Sequence, residues 1–244
     1  MRKVRKSHQV PASLQQLADP VKPEDIDDNL YTQPDTKAQL RADQYNKCVY
    51  CECLLNGDYG DVEHFRPKKG YTLYPSNGMH KPGYYWLAYR WSNLLLSCST
   101  CNTSYKKNHF VLADEATRNI AGQDISREVP LLINPSKENP ARFIEFHAEV
   151  VAPRLEADGT ESRKGRHTID VLQLNGRPVL LDSRKRTWLS YQKWRKMKAL
   201  CETLFAQGIS TIEVQEMFRT ASNELQRMQA PCAEYSGMLV NNTK

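Results

Sequence analysis

Two Cys-x-x-Cys pairs, Cys48–Cys51 and Cys98–Cys101, flank residues 52–97. One such pair is a weak signal, since it also occurs as a redox motif or by accident. Two together predict tetrahedral zinc held by four cysteines, because each turn places two thiolates on one ion. Cys53 offers a competing donor, but the Cys51-Glu52-Cys53 spacing is the less usual one, so Cys51 is the expected ligand. The clamped stretch carries Asp61-Val62-Glu63-His64-Phe65-Arg66-Pro67 and ends in Trp91-Ser92-Asn93-Leu94. Asn102, Lys106 and His109 follow the second pair. An imidazole is a general base near neutral pH. A hard divalent ion such as Mg²⁺ takes carboxylate and amide oxygens and keeps water. The set therefore suits metal-assisted hydrolysis, with the order and spacing, not any single residue, carrying the inference.

These groups need elements to hold them. A helix is predicted from about Asp35, as N-cap, through Leu40 to Tyr45, delivering the chain to Cys48. Residues 1–34 read as a basic, partly disordered arm, with a helical hint at Leu14–Ala18 and with Arg2, Lys3, Arg5 and Lys6 as phosphate contacts or a solvated tail. Beyond Asn134-Pro135, Phe143–His147 and Val150–Leu155 predict short strands, followed by a polar turn at Asp158-Gly159. Two helices close the chain. The first, about Ser183–Ala206, puts Trp188, Tyr191, Trp194, Met197, Cys201 and Leu204 on one face, among many Lys and Arg, and stops at Gly208. Ser210 and Glu213 form a capping box for the second, which runs to Pro231. Three regions result: the arm at 1–34, a core with the zinc site at 35–125, and a helical region with a hairpin at 126–244.

Composition bounds the possibilities. Of 244 residues, 40% are hydrophobic and 25% charged, as in globular proteins. No apolar run approaches the roughly 20 residues that span a bilayer. The start, MRKVRKSHQV, lacks a signal-peptide apolar region, which predicts a cytoplasmic protein. Seven cysteines there point to metal or burial before disulfides. Cys201 reads as core, and Cys232 has no evident partner. His8, His80, His147 and His167 read as surface or satisfied core residues. The net charge of +6 suits a polyanionic partner. No Walker A GxxxxGK(S/T) motif and no evident sequence-reading module are present, which agrees with a need for help from another component.

The order Cys-x-x-Cys, acid-His, Asn-Leu, Cys-x-x-Cys-Asn, Lys resembles the HNH endonuclease motif. The longer string, through Cys48–Glu52, Glu63–Lys68, Tyr84–Tyr89 and Trp91–Asn102, resembles PtuB, the HNH subunit of Septu-type anti-phage defence systems, including retron-associated versions. That resemblance covers Asp35–Phe110 well and continues loosely through Leu131–Pro135 and Thr168–Asn175. It implies an α+β fold: a ββα-metal (HNH) core with a four-cysteine zinc clamp, surrounded by helices that include the two at the C-terminus. It implies hydrolysis of phosphodiester bonds in DNA or RNA. His64 then takes the place of the general base, and Glu63 and Asn102 hold a catalytic Mg²⁺ or Mn²⁺. Asn93 braces the loop and orients the histidine, and Lys106 meets the phosphate. His109 is a further ligand or phosphate contact, and Asp61 is a second candidate for the acidic role. Glu63 departs from the commoner Asp, and Asn102 from the commoner His. The implied partners are a PtuA-like ABC/SMC-type ATPase and, where a retron is attached, a reverse transcriptase with its RNA–DNA product. Trp188, Tyr191 and Trp194 are either a docking surface or core. The competing reading is a non-catalytic, zinc-stabilised module that binds nucleic acid or protein.

Overall fold

Helices and very short strands alternate along the chain in the computed structural model, which describes residues 1–56, 60–76, 78–119 and 124–242. Helices α1 (Ala12–Gln15), α2 (Asp28–Tyr31) and α3 (Pro34–Asp43) come first. Strands β1 (Asp61–His64), β2 (Tyr71–Thr72), β3 (Met79–His80) and β4 (Leu94–Ser97) follow, then a π-helix at Thr100–Lys106. Strands β5 (Ile144–His147) and β6 (Val150–Pro153) precede helices α4 (Arg163–Val171), α5 (Pro178–Ala206), α6 (Ile212–Gln229) and α7 (Ser236–Val240). The strands form three antiparallel pairs, β1–β4, β2–β3 and β5–β6. The class is α+β.

The pair that matters most is β1–β4, in register from Asp61 opposite Ser97 to His64 opposite Leu94. Leu94, Leu95 and Leu96 are all fully buried, so β4 is covered on both faces. The Gln44 side chain, just past α3, donates to the carbonyls of Lys47 and Leu96 and accepts from Leu96 N–H, fastening α3 to β4. Helix α3 starts one residue before the expected cap, with Pro34 in its first turn, where a missing N–H costs nothing. Asp35 lies inside that turn and accepts from the Ser13 N–H at 2.9 Å and its hydroxyl at 2.6 Å, tying α3 to α1.

Residues 1–34, expected as a loose arm, pack against the core. Lys6 donates to the carbonyls of Trp91 and Leu94 at the entrance to β4, and its ammonium stands 3.8 Å from the Trp91 ring centroid. Burial pushes the Lys6 amine down to about 7. Val4 N–H bonds the Pro135 carbonyl, and Trp91 donates to the Ser7 carbonyl. Contacts also cross the expected boundary at 125/126. Arg66 pairs with Glu128, and Lys47 donates to the Ala233 carbonyl at 2.9 Å.

Helix α5 begins five residues before the expected Ser183, at Pro178, and buries Leu180 in the added residues. Gly208, at φ +79°, ends it as expected. The cap of α6 is Thr211, whose hydroxyl accepts from Val214 N–H, rather than Ser210. The two helices form a hairpin, with Phe205 edge-on to Phe218. Trp188 and Cys201 are buried, and Tyr191 and Trp194 pack against the same core. The aromatic face of α5 is therefore covered by the chain itself. Among the described residues no helix is long and apolar enough to cross a membrane.

Candidate metal centre and adjoining polar face

The Cys48–Cys51 turn folds over itself, with Glu52 N–H returning to the Cys48 carbonyl at 3.0 Å. Glu52 lies in the left-handed region, φ 65°, and its buried carboxylate pairs with Lys47 at 3.1 Å. The second turn is built the same way, with Asn102 N–H returning to the Cys98 carbonyl at 3.0 Å, and Cys101 N–H points at the Cys98 sulfur, 3.4 Å away. Strand pairing brings the two turns together, since Val49 N–H bonds the Leu96 carbonyl just before Cys98. The ligand atoms of Cys48, Cys51, Cys98 and Cys101 all lie within 4.8 Å of one another, and all four residues are buried. A tetrahedron with Zn–S of about 2.3 Å has S···S edges of ~3.8 Å, and Cys51 to Cys98 is 3.9 Å. The donor set and spacing fit zinc. Cys53 stands 3.3 Å from Cys51 but outside this group, as its spacing suggested. The Cys101 hydrogen bond holds the Cys98 thiol down to about 4, the ionisation a metal requires.

A cation adjoins the thiols from a distant part of the chain. Arg177, buried just before α5, donates to the Cys101 sulfur at 3.2 Å and lies over the Tyr105 ring. Its other nitrogens, Nε and Nη2, have no partner.

Strand alternation places Asp61 and Glu63 on one face of β1, under the π-helix. The helix supplies Asn102 and Lys106 above them. Asn102 donates to Asp61 Oδ2 at 3.0 Å, and both side chains are half-buried. Glu63 is deeply buried. Its Oε1 accepts from Lys106 Nζ at 2.5 Å and from the Tyr50 hydroxyl at 3.2 Å. Burial raises the Glu63 carboxyl above its usual range, against the pull of Lys106. Lys106 also donates to the His64 carbonyl at 2.6 Å, so its ammonium is spent inside the protein.

His64 turns to the other side of β1. Its Nε2 lies 2.9 Å from the Ala88 carbonyl, and its ring meets Tyr31 edge-on at 4.6 Å. A carbonyl can only accept, so Nε2 carries the proton and Nδ1 keeps its lone pair. Burial, helped by Lys68, brings the His64 imidazole down to about 3 and keeps it neutral. Asn93 bridges two loops: its Oδ1 accepts from Arg66 N–H, and its Nδ2 donates to the carbonyls of Arg66 and Leu87. Since Phe65 N–H bonds the Asn93 carbonyl, the residues after His64 are held from both sides. His109 is separate from all of these, with Nδ1 2.8 Å from the Thr72 hydroxyl and its ring edge-on to Tyr74.

The structure thus joins Asp61 to Asn102 and Glu63 to Lys106. It sets His64 across the strand and His109 on the β2 side. Sequence reading did not single out Tyr50, Tyr31 or Arg177. Tyr50 lies inside the first Cys-x-x-Cys, where its proximity to the motif was the available clue. Nothing in the local sequence marks Arg177.

Among known proteins, the chain is 39% identical over 150 residues to a protein named Septu protein PtuB of Bacillus mycoides (strain KBAB4), covering 61% of this chain and 50% of that one. It is 32% identical over 149 residues to a Septu protein PtuB of Bacillus thuringiensis, 60% of this chain and 44% of the relative. A protein named Septu protein PtuA, also from Bacillus mycoides (strain KBAB4), matches at 29% over 146 residues, 59% of this chain and 20% of that one. The resemblance to PtuB read from the motif string is therefore matched by sequence similarity. The chain spans about half the length of the PtuB relatives it matches. No family model and no solved structure matches it.

Proposed function

We propose that this chain is an HNH-type nuclease that hydrolyses phosphodiester bonds in DNA or RNA. By its similarity to PtuB, it acts as an effector of an anti-phage complex with a PtuA-like ABC/SMC-type ATPase. The observation that carries the nuclease reading is the Asp61–Asn102 pair, two half-buried oxygen donors joined across β1 and the π-helix. The β1–β4–π-helix unit clamped by four thiols supports a ββα-metal core, with zinc as a structural ion.

Asp61 and Asn102 offer a hard cation such as Mg²⁺ or Mn²⁺ a carboxylate and an amide oxygen, and Glu63 joins them once Lys106 moves aside. Such an ion supplies charge stabilisation at the phosphoryl oxygens. His64 Nδ1, unprotonated and held by the Nε2 bond to Ala88, takes the proton of the attacking water as the water oxygen bonds phosphorus. The bond from phosphorus to the leaving oxygen breaks, and that oxygen takes a proton from solvent water. Approach of the anionic phosphate raises the basicity of His64 from its buried resting value. Asn93 acts on His64 through the backbone, by fixing the turn that follows it.

The test is cleavage of plasmid DNA and total RNA in Mg²⁺ or Mn²⁺, by the parent and by His64→Ala. The expected result is loss of cutting with zinc content and fold retained. Cutting that persists in a clean His64→Ala preparation overturns the role. One observation favours a second reading, a nucleic-acid or protein binding module that does not cut: Lys106 neutralises Glu63. That reading requires the parent to bind without cutting, with the same affinity after His64→Ala and without divalent ions.

A further inference from the structure

The net charge of the chain is +6, and helix α5 holds almost all of it. Between Pro178 and Ala206 lie seven basic residues, Arg184, Lys185, Arg186, Lys193, Arg195, Lys196 and Lys198, against the acids Asp182 and Glu202, a net +5. The fold sorts them. Arg184 is buried, Arg186 pairs with Asp182, and Lys198 pairs with Glu202. Lys185, Lys193, Lys196 and Arg195 are exposed and make no ion pair among the described residues. At 100° per residue the three lysines fall within about 80° of one another and roughly 120–160° from Tyr191, whereas Arg195 lies on the aromatic side. The row is anchored to the candidate site, because Arg177, immediately before α5, bonds Cys101 of the π-helix. From Arg177 to Lys196 the axial rise is about 28 Å, roughly eight base-pair steps of 3.4 Å.

We propose that the outer face of α5 is a contact surface for the phosphate backbone of duplex DNA, extending the nuclease site on which this inference rests. Charge complementarity selects a polyanion. The packed aromatics favour a duplex, since single strands are gripped largely by stacking on exposed rings, whereas Trp188 is buried and Tyr191 and Trp194 lie half-buried against the core. A straight lysine row tracks a backbone and reads no base, so target choice does not reside here.

The experiment uses the full zinc-loaded chain and a fluorescein-labelled 30-base-pair duplex, in buffer without added Mg²⁺ or Mn²⁺. Anisotropy is read across a salt series. The variants are K185Q/K193Q/K196Q and an exposed control K22Q/K81Q, both checked for an unchanged thermal melt. Each phosphate contact contributes ~0.9 to the slope of log affinity against log salt. The triple variant is expected to lower that slope by about 2 to 3 and weaken binding at least tenfold, with the control unchanged. Duplex binding by the parent with the same slope in the triple variant overturns the surface. If that parent still cuts plasmid, the nuclease reading stands. A parent that neither binds nor cuts sinks both. Tighter lysine-dependent binding to a single strand or to duplex RNA overturns the choice of duplex DNA.

Discussion

Replacing Arg177 by Met removes a buried cation that touches a sulfur of the four-cysteine cluster proposed to hold zinc, while keeping most of the side-chain bulk. Four thiolates and one Zn²⁺ carry a net charge of −2, about half a charge on each sulfur if shared evenly. A guanidinium 3.2 Å from one such sulfur gains about 2.6 kcal/mol at an effective dielectric constant near 20. At 1.4 kcal/mol per tenfold, that is a roughly 70-fold loss of zinc affinity, inside the 10–100-fold range for groups that support metal ligands. Zinc affinity is read by competition with a chromogenic chelator at fixed pH, on Arg177→Met and on Arg177→Lys. The lysine variant keeps the charge and is expected to recover part of the loss. Thermal melts with and without zinc separate this role from packing. If Arg177 serves the bound metal, the zinc-loaded variant loses more than the metal-free one. Equal losses in both states, or an unchanged affinity for zinc, refute the reasoning.

Asn93→Ala removes three buried hydrogen bonds to backbone, and urea denaturation should show a loss of about 2–4 kcal/mol. Lys106→Met leaves the buried Glu63 carboxylate unpaired and should cost about 3–5 kcal/mol, of which Glu63→Gln added to it recovers more than half. No recovery in that double variant would argue that Lys106 stabilises through packing alone. His167 sits edge-on to Tyr74 with Nε2 buried and unpartnered, and burial, with His109 nearby, lowers it to about 4. The unfolded imidazole binds its proton near 6.5, so between pH 6.5 and 4 the unfolded state holds more protons and stability falls as pH falls, by up to ~1.4 kcal/mol per unit. His167→Phe should flatten that acid limb in denaturation series at pH 4.5 and 7, and an unchanged limb refutes the assignment.

The zinc-ligand set was legible because four thiols at two fixed spacings have few other uses, and the four cysteines lie together as the spacing required. The β5–β6 hairpin and the two closing helices followed from periodicity and turn residues. What escaped depends on long-range contacts. The N-terminal segment looked loose because its prolines and charges resemble a tail, yet Lys6 meets carbonyls some 85 residues away. Local composition cannot show such a partner. Helix α5 was clipped at its start because Val179 and Leu180 fall outside the aromatic stripe that marked it, although Leu180 is buried. Its aromatic face read equally as core or interface, and Trp188 is buried in the core with Tyr191 and Trp194 half-buried against it. Motif spacing put the candidate catalytic residues in one stretch of chain but could not give their pairing. A strand sends successive side chains to opposite faces, so Glu63 and His64, adjacent in sequence, cannot share one face of β1.

That opposition bears on how such a site works. A base and a cation seat that both grip one phosphate must meet at the end of the strand, not across its middle. His64 is the last residue of β1, and the chain beyond it is fixed by Asn93. Lys106 spans the same point, holding the Glu63 carboxylate with one contact and the His64 carbonyl with another. Its ammonium thus occupies a cation position between the carboxylate and the backbone that carries the base. On the proposed function, a divalent ion at Glu63 would have to displace that ammonium, at the cost of a buried ion pair. An ion that also gained Asp61 and Asn102 would offset that cost, so divalent binding and release of Lys106 would be linked. The π-helix carries both Asn102 and Lys106. Its i to i+5 hydrogen bonding is the less stable helical form, and such turns are found often at functional sites. Arg177 fastens its opposite end by the bond to Cys101.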